Sequence, residues 1–145
     1  MNNVEEFYLD NGLRVFLKED KFSPVSSIFV WVNTGSAYEN DFERGLAHVH
    51  EHMIFKGTEK LKVGEISKQI EAHGGEVNAF TSFDETVYYT TISNSFIDVG
   101  FDILSDCMSN ATFNEDELAK ELEVIIEEIK RGEDSPSSCL GEMIF

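Results

Sequence analysis

The spacing of apolar residues changes period partway along the chain, and that change limits the fold to a sheet covered by helices. Up to residue 33 the apolar positions alternate: Phe7 and Leu9, then, past Asn11-Gly12, Leu13, Val15 and Leu17. Alternation at period two marks a strand with one face buried, and Asn-Gly is a strong short hairpin signal. The first two runs therefore predict a hairpin. A third strand is expected over residues 25–33, with Ile28, Val30 and Val32 on one face and Phe29 and Trp31 on the other. Apolar residues on both faces predict a central strand covered on both sides.

Beyond residue 40 the helical period takes over. Helices are expected over residues 43–55, ending at Gly57, and over residues 63–73, ending at Gly74-Gly75. Two strands follow, over 76–82 and 86–92, the second rich in Thr, Val and Tyr. Further helices are expected over 95–109 and 114–130. Asn114 can cap the latter, with Glu117 three residues on. A last helix is expected from Ser135 onward, with Pro136 in its first turn. The fold class is α+β: a mostly antiparallel sheet with helices packed on it.

A chain of 145 residues suits one domain, and 41% hydrophobic with 27% charged residues is a globular composition. The chain stops at Ile144-Phe145 with no cap or polar tail, so residues 1–145 are expected to be the N-terminal portion of a longer protein. A formal charge of −17 argues against nucleic acid and against an anionic membrane surface as partners, since both need a basic footprint. No apolar run is long enough to span a bilayer. The opening residues lack the basic and apolar segments of a secretory signal, which makes the cytoplasm the expected compartment. Cys107 and Cys139 read as reduced thiols, with Cys107 a core residue of its helix.

The chemistry concentrates in His48-Val49-His50-Glu51-His52. Residues four apart on a helix share a face, so His48 and His52 can converge on one metal ion, with Glu51 beside them. His50 lies about 200° round from His48 and faces away, as a partly buried helix histidine. Two imidazoles and a neighbouring carboxylate suit zinc, and H-x-x-E-H is the inverted order of a zinc-peptidase helix. His73, just before Gly74-Gly75, reads as a cation near a helix C-terminus.

A third ligand has to come from a remote segment. On the helix 114–130 an apolar stripe of Leu118, Leu122, Ile125, Ile126 and Ile129 is flanked by Glu121 and Glu128, which share a face, while Glu127 points to water. A carboxylate at the edge of a buried stripe is costly unless paired or bound to a cation. One of Glu121 and Glu128 can therefore ligate zinc while the other hydrogen-bonds a ligand imidazole. Spacing alone leaves open which does which.

Four segments together resemble the pitrilysin/insulinase/mitochondrial-processing-peptidase family of inverted-motif zinc metallopeptidases. They are Gly45-Leu46-Ala47-His48-Val49-His50-Glu51-His52-Met53-Ile54-Phe55-Lys56-Gly57-Thr58, Gly74-Gly75-Glu76-Val77-Asn78-Ala79-Phe80-Thr81-Ser82, Thr86-Val87-Tyr88-Tyr89 and Glu121-Leu122-Glu123-Val124-Ile125-Ile126-Glu127-Glu128-Ile129. The resemblance runs from the hairpin to the last helix. It implies His48, His52 and Glu128 as zinc ligands, Glu51 as general base, and Glu121 as a partner of the site on the same helix. Asn78, Ala79, Phe80 and Thr81 look like the family's edge strand, which pairs with an extended peptide substrate. The implied activity is zinc-dependent endopeptidase, and a homologous second half or partner subunit would close the chamber. A non-catalytic partner subunit is the competing reading, and the complete zinc motif counts against it. His50 departs from the family pattern, filling a slot that is usually apolar.

Overall fold

The computed structural model describes residues 4–136 and 140. The helix expected from Ser135 onward falls almost entirely on residues outside that range, as does Cys139. The elements run β1 (Val4–Tyr8), β2 (Arg14–Lys18), β3 (Val25–Val32), α1 (Leu46–Met53), α2 (Glu65–Ala72), β4 (Glu76–Thr81), β5 (Thr86–Ser93), α3 (Ile97–Asn110) and α4 (Glu115–Glu133). Short 3-10 turns at Ser36–Tyr38 and Asn94–Phe96 precede α1 and α3. The architecture is α+β, with every strand pair antiparallel. Among the described residues no helix is long and apolar enough to cross a membrane.

β1 and β2 form the expected hairpin, as a two-stranded sheet of its own. Its closing pair is Tyr8↔Arg14, so the loop is longer than a two-residue Asn-Gly turn. Asn11 still acts locally: its Oδ1 accepts from the Leu13 N–H at 3.0 Å, and Gly12 takes φ 86°.

The main sheet has the order β3-β5-β4. β5 is the covered strand, and β3 is an edge strand, contrary to the sequence expectation. The inward face of β3 does meet the core through Ile28, Val30 and Val32. Its outward aromatics stay open, Phe29 at 51% and Trp31 at 60% exposure. They pack on neighbours in the sheet rather than under a layer: Phe29 stacks on Tyr89 at 5.2 Å, and Trp31 meets the edge of Phe80 at 6.4 Å. Lateral aromatic contact across strands can hold such side chains without a covering element.

The core lies between this sheet and the helices. Ile28, Tyr88 and Ile92 face Ile54 of the turn after α1, Ile66 and Ile70 of α2, and Ile103, Leu104 and Cys107 of α3. Burial and the nearby Asp106 push the Cys107 thiol up to about 12, which keeps it an inert apolar residue. The two glycines after α2 serve different ends. Gly74 takes φ 72°, the left-handed conformation that closes a helix. At Gly75 a Cβ would stand 2.6 Å from the Thr91 carbonyl oxygen, so the close approach to β5 excludes a side chain.

α4 corrects a second expectation. Asn114 does cap it, accepting from the Asp116 and Glu117 N–H groups at 2.9 and 3.2 Å. The apolar stripe, however, is not the buried face. α4 buries Glu121 and Ile125, while Ile126 and Ile129 remain 50% and 54% exposed. The helix is turned so that its carboxylate flank meets α1, where partners for those charges are waiting.

Candidate metal centre

α1 begins later than the apolar pattern suggests, at Leu46, because Gly45 takes the left-handed conformation at φ 91°. Its free N-terminal amides are met from upstream. The Glu39 carboxylate accepts from the Gly45 and Ala47 N–H groups, both at 2.7 Å. A carboxylate there also suits the positive end of the helix. Sequence reasoning missed Glu39, because its approach depends on the 3-10 turn at Ser36–Tyr38 rather than on helical spacing.

One turn of α1 separates His48 from His52 and brings their Nε2 atoms to 3.1 Å. α4 adds Glu128, whose Oε2 lies 3.5 Å from His52 Nε2 and 3.8 Å from His48 Nε2. Ligand atoms of these three residues all lie within 4.8 Å of one another. A tetrahedral zinc with bonds near 2.0–2.1 Å sets its ligand atoms about 3.3–3.5 Å apart, so the observed triangle is the right size. Two imidazole nitrogens this close, beside a carboxylate, need a proton or a cation between them, and the donor set fits a metal.

Glu121 lies elsewhere on the same rim. Its Oε2 is 3.1 Å from His52 Nδ1 and its Oε1 takes an ion pair from Lys56 Nζ at 2.5 Å. A carboxylate can only accept, so the His52 proton sits on Nδ1 and the Nε2 lone pair faces the space shared with His48 and Glu128. Burial pushes the Glu121 carboxyl up; Lys56 and His52 outweigh it, so the group sits below the usual carboxylate range. Lys56 was also missed from the sequence. The available signal was its place four residues past His52, in the turn after the helix.

Glu51 is held apart from the triangle. Its Oε2 accepts from the Thr81 hydroxyl at 2.6 Å. The structure thus joins the motif helix to the last residue of β4. β4 is an edge strand. In register with β5, Ala79 and Thr81 pair with Tyr88 and Thr86 and share their helix-side face, while Asn78 and Phe80 lie on the other face with Tyr89 and Val87.

The remaining polar candidates have local partners. His50 Nδ1 lies 2.7 Å from the Tyr88 hydroxyl, and its ring packs on Phe113 at 5.1 Å. Partial burial pushes the His50 ring below its usual pKa. Tyr88 is pushed up to about 12 by burial and then by the Glu51 charge. His50 thus bonds inward to the sheet, on the side away from His48 and His52. His73 Nδ1 meets the Gln69 carbonyl at 2.7 Å and its ring meets Phe96 at 4.6 Å. Glu127 pairs with Lys130 on the open side of α4.

Comparison with known proteins fits this arrangement. The profile of the insulinase family, peptidase family M16, matches residues 14–145. The chain belongs to that family. An uncharacterized zinc protease of Bacillus subtilis (strain 168), YmxG, is 36% identical over 97% of the chain and 34% of its own length. The mitochondrial-processing peptidase subunit beta of Bos taurus is 37% identical, over 94% of the chain and 27% of its own length. The fold superposes on a Helicobacter pylori protease with a TM-score of 0.90 at 35% identity, covering 97% of this chain and 34% of that one. On pitrilysin the TM-score is 0.81 at 26% identity, covering 88% of this chain and 14% of that one. The chain thus spans only 27–34% of the length of these two curated relatives.

Proposed function

We propose that these residues form the N-terminal portion of the catalytic domain of a zinc metalloendopeptidase that hydrolyses peptides or unfolded segments. The observation that carries the reading is the convergence of His48, His52 and Glu128 from two helices, with ligand atoms within 4.8 Å. His48 Nε2, His52 Nε2 and a Glu128 carboxylate oxygen would hold the zinc. Zinc bound there supplies a Lewis acid and makes water acidic near neutral pH. Glu51 takes a proton from the attacking water and returns it to the leaving amine nitrogen. Glu121 keeps the His52 proton on Nδ1 and the ring in place. Asn78, Ala79, Phe80 and Thr81 pair main chain to main chain with an extended peptide along the open edge of β4.

A homologous second half, on the same chain or on a partner subunit, closes the chamber over the peptide. This fragment alone then has little or no peptidase activity. A partner subunit without activity of its own is the weaker reading, because the chain keeps the whole zinc motif, His48, Glu51 and His52. The deciding experiment is Glu51→Gln in the chamber-complete protein. Peptide cleavage falls by about 10²–10⁴-fold while zinc stoichiometry stays the same. Loss of zinc in that variant would make Glu51 a ligand and overturn the assignment of roles.

A further inference from the structure

We propose that Thr81 is the positioning residue of Glu51, so that the strand on which a peptide lies also sets the attitude of the group that moves the proton. The inference rests on Glu51 acting as the base, as proposed above, and adds the group that aims it.

Thr81 closes β4 on the helix side of the sheet, where its hydroxyl donates to Glu51 Oε2 at 2.6 Å. The neighbouring hydroxyl does not compete for that acceptor. Thr86, paired with Thr81 in register and 3% exposed, donates to the Thr34 carbonyl at 2.9 Å. The strand end is itself anchored. Ser82 N–H donates to the Glu85 carbonyl at 2.8 Å, and the Ser82 and Phe83 carbonyls accept from the Ser36 and Ala37 N–H groups at 3.1 and 2.9 Å. At Gly35 a Cβ would come within 2.3 Å of the Ser82 carbonyl oxygen, so the two segments are in close backbone contact there.

A glutamate has three rotatable side-chain bonds, and a strand threonine has a stiff χ1. Fixing Oε2 from a rigid strand removes most of the freedom of Glu51 and leaves Oε1 to exchange the proton. Sites held by strands are more precise than sites held by loops. The Thr81 main chain meanwhile belongs to the edge along which the peptide would pair. Peptide register and carboxylate attitude thus share one residue, through separate atoms.

The test is steady-state cleavage of a fluorogenic peptide by the chamber-complete protein carrying Thr81→Val, Thr81→Ser or Thr81→Ala. The expected result for Thr81→Val is a kcat lower by about 10–100-fold, the scale of a small misplacement near reacting atoms. KM and zinc content stay unchanged, because strand pairing and the metal ligands are intact. Thr81→Ser restores kcat to within about threefold, having the same donor. If Thr81→Val does not fold, as read from its thermal melt, Thr81→Ala carries the same expectation. Full kcat in the folded variant without a hydroxyl overturns the proposal. So does a loss that Thr81→Ser shares, or one confined to KM. Glu51→Gln, run alongside, separates the two claims. If that variant stays active the base assignment has failed; if it is inactive and Thr81→Val is fully active, only the positioning role has.

Discussion

At His52 the two ring nitrogens have different surroundings, and the difference is chemical rather than steric. Nδ1 faces a carboxylate that is 11% exposed and ion-paired to Lys56, while Nε2 faces His48 and Glu128. A buried carboxylate with two cationic or donor partners is stable where an unpaired one is not. Glu121 therefore fixes a tautomer, and the expected effect of Glu121→Ala is on metal affinity. Zinc affinity falls about 10–100-fold, the usual effect of removing a group that orients a ligand histidine. Competition against a chromophoric chelator measures it, and an unchanged affinity would show that His52 needs no such partner. Glu128, by contrast, is 41% exposed, as suits its proposed role as a ligand at the open mouth of the site.

Among the elements, close contacts with β5 and α3 set the tolerances. A Cβ at Gly75 would meet backbone at Thr91 and side chains of Ile70 and Ile92, so none of the three can yield without moving the core. Gly75→Ala is expected to destabilise the chain by about 1–3 kcal/mol in urea unfolding, the range for overpacking. Asp106 of α3 anchors the turn after α1. It is 7% exposed, takes a hydrogen bond from Asn110 Nδ2 at 2.8 Å and an ion pair from Lys60 at 3.3 Å. Thr58, then Asn110 and Lys60, hold its carboxyl below the usual range. A lowered folded pKa means stability that is present above the unfolded value and lost as pH falls through the folded one. Asp106→Ala should cost about 1–3 kcal/mol near neutral pH. The gap from the unsubstituted chain should narrow as the pH is taken below about 4, the region of the unfolded carboxyl. A gap independent of pH would show that packing, not charge, holds the turn.

For the whole molecule, the cluster of His48, His52 and Glu128 bridges α1 and α4, two helices far apart in sequence. Binding across that gap stabilises the folded state by mass action, by about 2.7 kcal/mol when free zinc is a hundredfold above its dissociation constant. Zinc should therefore raise the melting temperature of this chain, and a chelator should reverse the rise. His48→Ala should abolish the effect at little cost to the metal-free melt. An equal zinc shift in that variant would place the bound ion elsewhere.

The sequence by itself determined the local elements and the pairing of His48 with His52. Periods of two and 3.6 residues, Asn114 as a cap and Gly74 as a helix end are short-range facts, written in neighbouring residues. The motif resemblance also singled out Glu128 among the acidic residues of α4. Tertiary structure decided what depends on distance through space. It made β3 an edge strand and β5 the covered one, because strand order is not encoded in the alternation of any single strand. It turned α4 onto its carboxylate flank, because Lys56 and His52 offset charges that the apolar stripe alone would have kept out. It brought Glu39 to the start of α1 and Thr81 to Glu51, where hydrogen bonds link residues that no periodicity connects.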